Sequence, residues 1–215
     1  MYLLKLLSYV GHCILLINTI LYSIGFSQKG KAYKSFVVYL FCLFVMQTAT
    51  EVYAMQNMNN HFIATYYLFI PLILLSLFFY RLFVDIDSWK KYLVMYATPL
   101  AIIGFIVQYC FFPDLYFEFN SIGLLVATCL LIIYAVMYIF ELISKRLEFQ
   151  YVIIGIFIYY ISSLLIFVSA TSIVSFNQEM SNFIWNINAF LFIVYQLLIL
   201  WEWKQSYYLR PTRRD

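Results

Sequence analysis

Apolar residues run almost unbroken along this chain, in seven stretches parted by short polar breaks. The stretches extend from Tyr2 to Phe26, Ser35 to Met55, Phe62 to Val84, Lys91 to Phe112, Phe119 to Phe140, Tyr151 to Val174 and Ser181 to Trp203. A helix rises about 1.5 Å per residue, so about 20 apolar residues cross roughly 30 Å of hydrocarbon. Each stretch meets that length. The pattern predicts an all-α integral membrane protein: one bundle of seven transmembrane helices over residues 1–215, with 204–215 as a short basic tail. Strands of a β-barrel alternate apolar and polar positions, which runs such as IPLILLSLFF do not. The breaks leave no room for a soluble domain.

Composition sharpens this picture. The chain is 65% hydrophobic and 11% charged, with a mean hydropathy of +0.88, against about half apolar and a quarter charged in soluble domains. Its 22 Phe and 21 Tyr also exclude a disordered chain. The first stretch is too long for a signal-peptide core and lacks a small-residue cleavage site, so it reads as the first span.

Charge predicts the orientation. Lys29, Lys31 and Lys34 lie in the first break, Arg81, Lys90 and Lys91 around the third, and Lys145 and Arg146 in the fifth. Lys204, Arg210, Arg213 and Arg214 lie in the tail. The alternate breaks, around MQNMNNH, FFPDLYFEF and SFNQEMSN, hold no Lys or Arg. Twelve of the thirteen bases thus fall on one side, leaving Lys5 on the other. By the positive-inside rule the N-terminus is outside and the C-terminus cytoplasmic. Trp89, Trp201 and Trp203 fall at inner span ends and Trp185 near an outer one, where amphipathic rings favour the headgroup layer. The bases read as topology signals attracted to anionic lipid, rather than as a nucleic-acid surface.

Little in the sequence points to catalysis. The only histidines are His12 and His61, and no H-E-x-x-H or G-x-S-x-G pattern occurs. Cys13, Cys42, Cys110 and Cys129 sit at unrelated depths without C-x-x-C spacing, which predicts packing rather than zinc or disulfides. No metal, cofactor or enzymatic activity is expected.

The most informative polar group is Glu51, about a turn inside the outer end of the second span. An ionisable residue there is costly and usually faces the bundle with a partner. Gln47 and Thr48 extend it into a stripe, and Lys5, Asn186 and Asn188 lie at similar predicted depth. Two readings stay open: a small polar pocket reached from outside, or interhelical hydrogen bonds that fix register. His12, Asn18 and His61 likewise either line a pathway or pack. Ala97, Ala101 and Gly104, spaced i, i+4, i+7, are expected to give the fourth helix a close-packing face. Pro71 and Pro99 are expected to kink the third and fourth helices.

Three places stand out together: Glu51 with Asn59-Asn60-His61-Phe62, the opening Phe119-Asn120-Ser121, and Trp185-Asn186-Ile187-Asn188. In these the chain resembles a loosely defined family of small, uncharacterised multi-pass inner-membrane proteins common in Bacteroidota. The family tends to carry further acidic residues in its third and fifth helices, where this chain has Leu, Ile and Ala. The resemblance implies a sensory or accessory protein of the bacterial cytoplasmic membrane that works with a signalling or assembly partner. On this reading Lys29, Lys31, Lys34, Lys145, Arg146, Arg210, Arg213 and Arg214 meet that partner or lipid. The rival expectations are a subunit or effector of a larger bacterial assembly, for secretion, motility or phage defence, and a small-solute or lipid transporter. A homo-oligomer is compatible with each.

Overall fold

The computed structural model describes residues 2–56, 61–117, 120–145, 147–173 and 178–208. All of the regular structure among them is helical. The seven α-helices are α1 (Tyr2–Ser23), α2 (Lys31–Met55), α3 (His61–Asp85), α4 (Lys90–Phe111), α5 (Ser121–Ser144), α6 (Gln150–Ile173) and α7 (Gln178–Trp203). Six of them, all but α6, are long and apolar enough to cross a membrane; the described side chains of α6 give a shorter apolar segment, Gln150–Leu165. Helix length and composition together suit a helical membrane protein.

Element bounds follow the apolar stretches with informative exceptions. Helix α1 stops at Ser23, because Gly25 takes a left-handed φ of 81° and opens a short 3₁₀ turn, Phe26–Gln28. Such a φ costs a residue with a Cβ but not glycine. Helix α2 begins at Lys31, four residues before the apolar run, because Ala32 and Tyr33 are already buried. Helices α3 and α4 run on through Pro71 and Pro99. Beyond α7 the chain does not fray at once into a tail. Residues Lys204–Tyr208 continue as a π-helical turn.

The chain forms two compact units. One is contiguous, Gly25–Tyr134; the other joins Met1–Ile24 to Ala135–Asp215.

In the contiguous unit, α2 and α3 pack antiparallel. The Phe36 and Phe78 rings meet at 5.1 Å near one end, and Tyr53 and Phe62 at 5.3 Å near the other. Helix α4 returns alongside α3, with Phe69 edge-on to Phe105 at 6.0 Å. The first half of α5 closes the unit through Tyr134, whose hydroxyl bonds Thr98 at 3.0 Å and whose ring meets Phe79. Leu72, Leu75, Phe78, Phe79 and Phe83 are fully buried in its core.

In the discontinuous unit α7 is the hub. Contacts with α6 run in opposite directions along the two helices: Ser163 to Asn188, Gly155 to Tyr195, and Tyr151 to Glu202. Contacts with α1 run in the same direction: Gly11 to Phe192, Asn18 to Gln196, and Tyr22 to Ile199. Helices α1 and α7 are therefore parallel. The α1 seam, Gly11, Leu15, Asn18 and Tyr22, repeats by fours and threes, the spacing that keeps one face against a neighbour in a left-handed pair. A Cβ on Gly11 would stand 2.9 Å from a Phe192 ring carbon, and one on Gly155 2.9 Å from Tyr195.

The expected small-residue face on α4 is a different matter. A Cβ on Gly104 would meet nothing within 4 Å. Close helix approach occurs instead at Gly11 and Gly155, isolated glycines that no small-residue stripe announces.

Candidate functional site

The end of the contiguous unit that lacks Lys and Arg gathers a polar and aromatic cluster. Gln47 sits one turn before Glu51 on α2, so both lie on one helical face. The Tyr67 hydroxyl on α3 donates to the Gln47 Oε1 at 2.9 Å, and Glu51 is half-buried beside this pair on α2. The Thr48 hydroxyl bonds back to the Phe44 carbonyl at 2.8 Å, and that of Thr50 to the Met46 carbonyl at 2.9 Å.

A second layer joins α3 to the α4–α5 connection. A 3₁₀ turn, Pro113–Tyr116, brings Tyr116 beside α3. Its hydroxyl bonds that of Tyr66 at 3.1 Å, and Thr65 lies 3.4 Å from both the Tyr109 hydroxyl and the Tyr116 carbonyl. The bond to Tyr66 is the main cause that raises the Tyr116 phenol above its ordinary value. Asn120 completes the layer with both ends of its amide. Its Oδ1 accepts from the Gly123 N–H at 2.9 Å, capping α5, and its Nδ2 donates to the Gln108 Oε1 at 3.0 Å.

The opposite end of this unit carries the bases. Lys29 and Lys31 are exposed, Lys34 stands 5.8 Å over the Phe26 ring, and Arg81, Lys90 and Lys91 flank the α3–α4 turn. Lys91 meets the Asp87 carboxylate at 2.6 Å. That hydrogen bond, followed by the ammonium charge, holds the Asp87 carboxyl below its usual range.

The remaining sequence-derived residues fall in the discontinuous unit. Lys5 is exposed on α1. The Asn188 Oδ1 accepts from the Ser163 hydroxyl at 3.3 Å, whereas the buried Asn186 Oδ1 has no hydrogen-bond partner among the described residues. Asn18 is wholly buried: its Nδ2 donates to the Gln196 carbonyl at 2.8 Å and to the Gln196 Oε1 at 2.9 Å. These bonds tie α1 to α7. His12 is half-buried, and Lys145 is exposed just past α5. Asn59, Asn60, Phe119, Arg146, Arg210, Arg213 and Arg214 lie outside the described residues, as does the His61 side chain.

One buried acid went unrecognised in the sequence. Glu202 is 2% exposed; its Oε2 accepts from the Tyr151 N–H at 2.8 Å, in the first turn of α6, and its Oε1 from the Ser206 hydroxyl at 2.6 Å. The first N–H groups of a helix lack internal acceptors and attract negative charge, so Glu202 caps α6 from another helix. Nearby, the Trp203 indole donates to the Leu21 carbonyl at 3.1 Å, among the open carbonyls at the end of α1. Phe149, just before α6, takes a left-handed φ of 63° that buries its ring against Tyr207. Gln196 was the more legible omission. It is a lone amide in an apolar run, marked by the same cost argument as Glu51.

Among the described residues no three of His, Cys, Asp and Glu come together as metal ligands would. Comparison with protein-family models, curated proteins and solved structures finds no match to this sequence or fold.

Proposed function

We propose that this chain is a seven-span protein of the bacterial cytoplasmic membrane, N-terminus outside, that performs no chemistry itself and serves as a sensory or accessory component through a protein partner. The parallel pairing of α1 with α7 supports the odd number of crossings, since helices one and seven of an alternating series run the same way. The kinship with the Bacteroidota proteins is part of the same proposal.

The observation that carries the reading is the sorting of polar groups in the contiguous unit. The Gln47–Tyr67 pair beside Glu51, and the separate layer of Tyr66, Tyr109, Tyr116 and Asn120, both lie at the end assigned to the outside. These groups recognise ligands by donating and accepting hydrogen bonds. Lysines and arginines stand at the other end, where a cytoplasmic partner would be met. Input and output surfaces thus occupy opposite ends of the same three helices.

The test is quantitative co-purification of the tagged chain in mild detergent, alongside a variant with Lys29, Lys31 and Lys34 changed to Gln. Reporter fusions at the two ends check insertion. A stoichiometric protein partner that the variant loses supports the proposal. A chain that purifies alone, or carries only a solute, sinks it in favour of transport.

A further inference from the structure

Helix α4 turns only a narrow stripe inward. Val94, Thr98 and Phe105 are its buried residues, while Trp89, Tyr96 and Leu100 are about seven-tenths exposed. On the outward face lies a shallow groove lined by Trp89, Tyr92, Leu93, Tyr96, Ala97 and Leu100. Ala97 makes the depression, because the residues around it carry large side chains.

The groove has the dimensions of one half of a membrane. From Trp89 to Leu100 a helix rises about 16 Å, and one leaflet contributes about 15 Å of hydrocarbon. Its start also has the right chemistry. Trp89 sits where an indole meets the headgroup layer. Lys90, Lys91 and Arg81 stand at that end, and Lys29, Lys31 and Lys34 belong to the same end of the unit. Asp85 and Asp87 oppose these six bases, and Asp87 already engages Lys91. The balance stays positive after both acids are counted.

We propose that this groove holds an acyl chain of an anionic phospholipid, with the headgroup phosphate drawn to Lys90, which follows Trp89 in the chain, and to the other bases of that end, Arg81 among them. The apolar walls supply burial for the chain, and the basic end supplies the preference for negative over zwitterionic headgroups. The inference rests on the membrane-spanning reading, with Trp89 in the cytoplasmic leaflet.

The full chain in phosphatidylcholine vesicles tests it, with brominated phosphatidylglycerol or brominated phosphatidylcholine added at equal mole fraction. Trp89 emission is taken as the difference between the protein and its Trp89→Phe variant. The phosphatidylglycerol probe is expected to quench Trp89 several-fold more strongly. Arg81→Gln with Lys90→Gln should remove that preference and leave quenching by phosphatidylcholine unchanged. Ala97→Leu, which fills the groove at a position outside the buried stripe, should weaken it. Equal quenching by the two lipids overturns the site while keeping α4 in lipid. Quenching by neither, without disulfide-linked dimers through Ala97→Cys, overturns it together with the spanning reading. Protection from both, with disulfide-linked dimers through Ala97→Cys, overturns it by giving the groove to a second copy.

Discussion

Asn18 and Gln196 are held in one orientation by a backbone atom. The Gln196 carbonyl, 2.8 Å from the Asn18 Nδ2, demands a donor there, and this in turn makes the Gln196 side chain present its oxygen. Rotating either amide would set like atoms against each other. The arrangement leaves the Asn18 Oδ1 and the Gln196 Nε2 buried without partners among the described residues. The pair therefore specifies how α1 meets α7 at some cost in satisfaction, as a lone buried amide does in coiled coils.

Breaking this pair on one side should hurt more than removing it. Asn18→Leu strands the Gln196 side chain and is expected to destabilise by about 1–2 kcal/mol. Asn18→Leu with Gln196→Leu should recover most of that. Thermal unfolding in detergent, run on both singles and the double, gives the coupling.

Glu202 should be felt at the start of α6. Glu202→Leu removes an acceptor and a charge from the helix N-terminus, an expected loss of about 1–3 kcal/mol. Glu202→Gln keeps an acceptor and should lose less. Hydrogen exchange at the Tyr151 amide is the local readout, and it should speed up most in the leucine variant.

The glycines separate close packing from open surface. Gly11→Leu and Gly155→Leu drive side chains into Phe192 and Tyr195, and each is expected to cost about 1–3 kcal/mol or more. Gly104→Leu enters open space and should leave the midpoint of unfolding nearly unchanged. Equal effects at all three positions would contradict the packing described.

Two exposed bonds have opposite pH dependence. The Asp87 carboxyl lies below its ordinary value, so its pairing with Lys91 stabilises at neutral pH and is lost as pH falls through that lowered value. The Tyr116 phenol lies above its ordinary value. Its bond to Tyr66 is present at neutral pH and disappears only as pH rises through the raised value. Stability measured in acid should respond to Asp87→Asn, and stability in strong alkali to Tyr116→Phe.

The helices were legible because apolar length is a local property, counted along the chain without knowing any neighbour. Bounds slipped where burial, not hydropathy, decides them, as at Ala32 and Tyr33 before the predicted start of α2. Gln47 and Glu51 were singled out because polar groups in hydrocarbon are costly wherever they sit. The surroundings were not legible: Tyr67 looks like ordinary aromatic content until α3 sets its hydroxyl on Gln47, and so do Tyr109 and Tyr116 until α4 and the turn at Pro113 bring them to Thr65. Glu202 looked like the end of a span, because its role depends on where α6 begins. Small residues misled for the same reason. Ala97, Ala101 and Gly104 fit a helical spacing, but only the fold shows which glycines have a helix beside them.

Helix α1 is made long before its partner α7. Asn18 and Gln196 are separated by 178 positions, and the whole contiguous unit is synthesised between them. During translation the Gly11–Tyr22 seam must wait, with Asn18 lacking Gln196, until α7 emerges. A nascent chain stopped before Gln196 would leave that seam uncovered by α7, which sets an unfinished molecule apart from one in which the pair has formed.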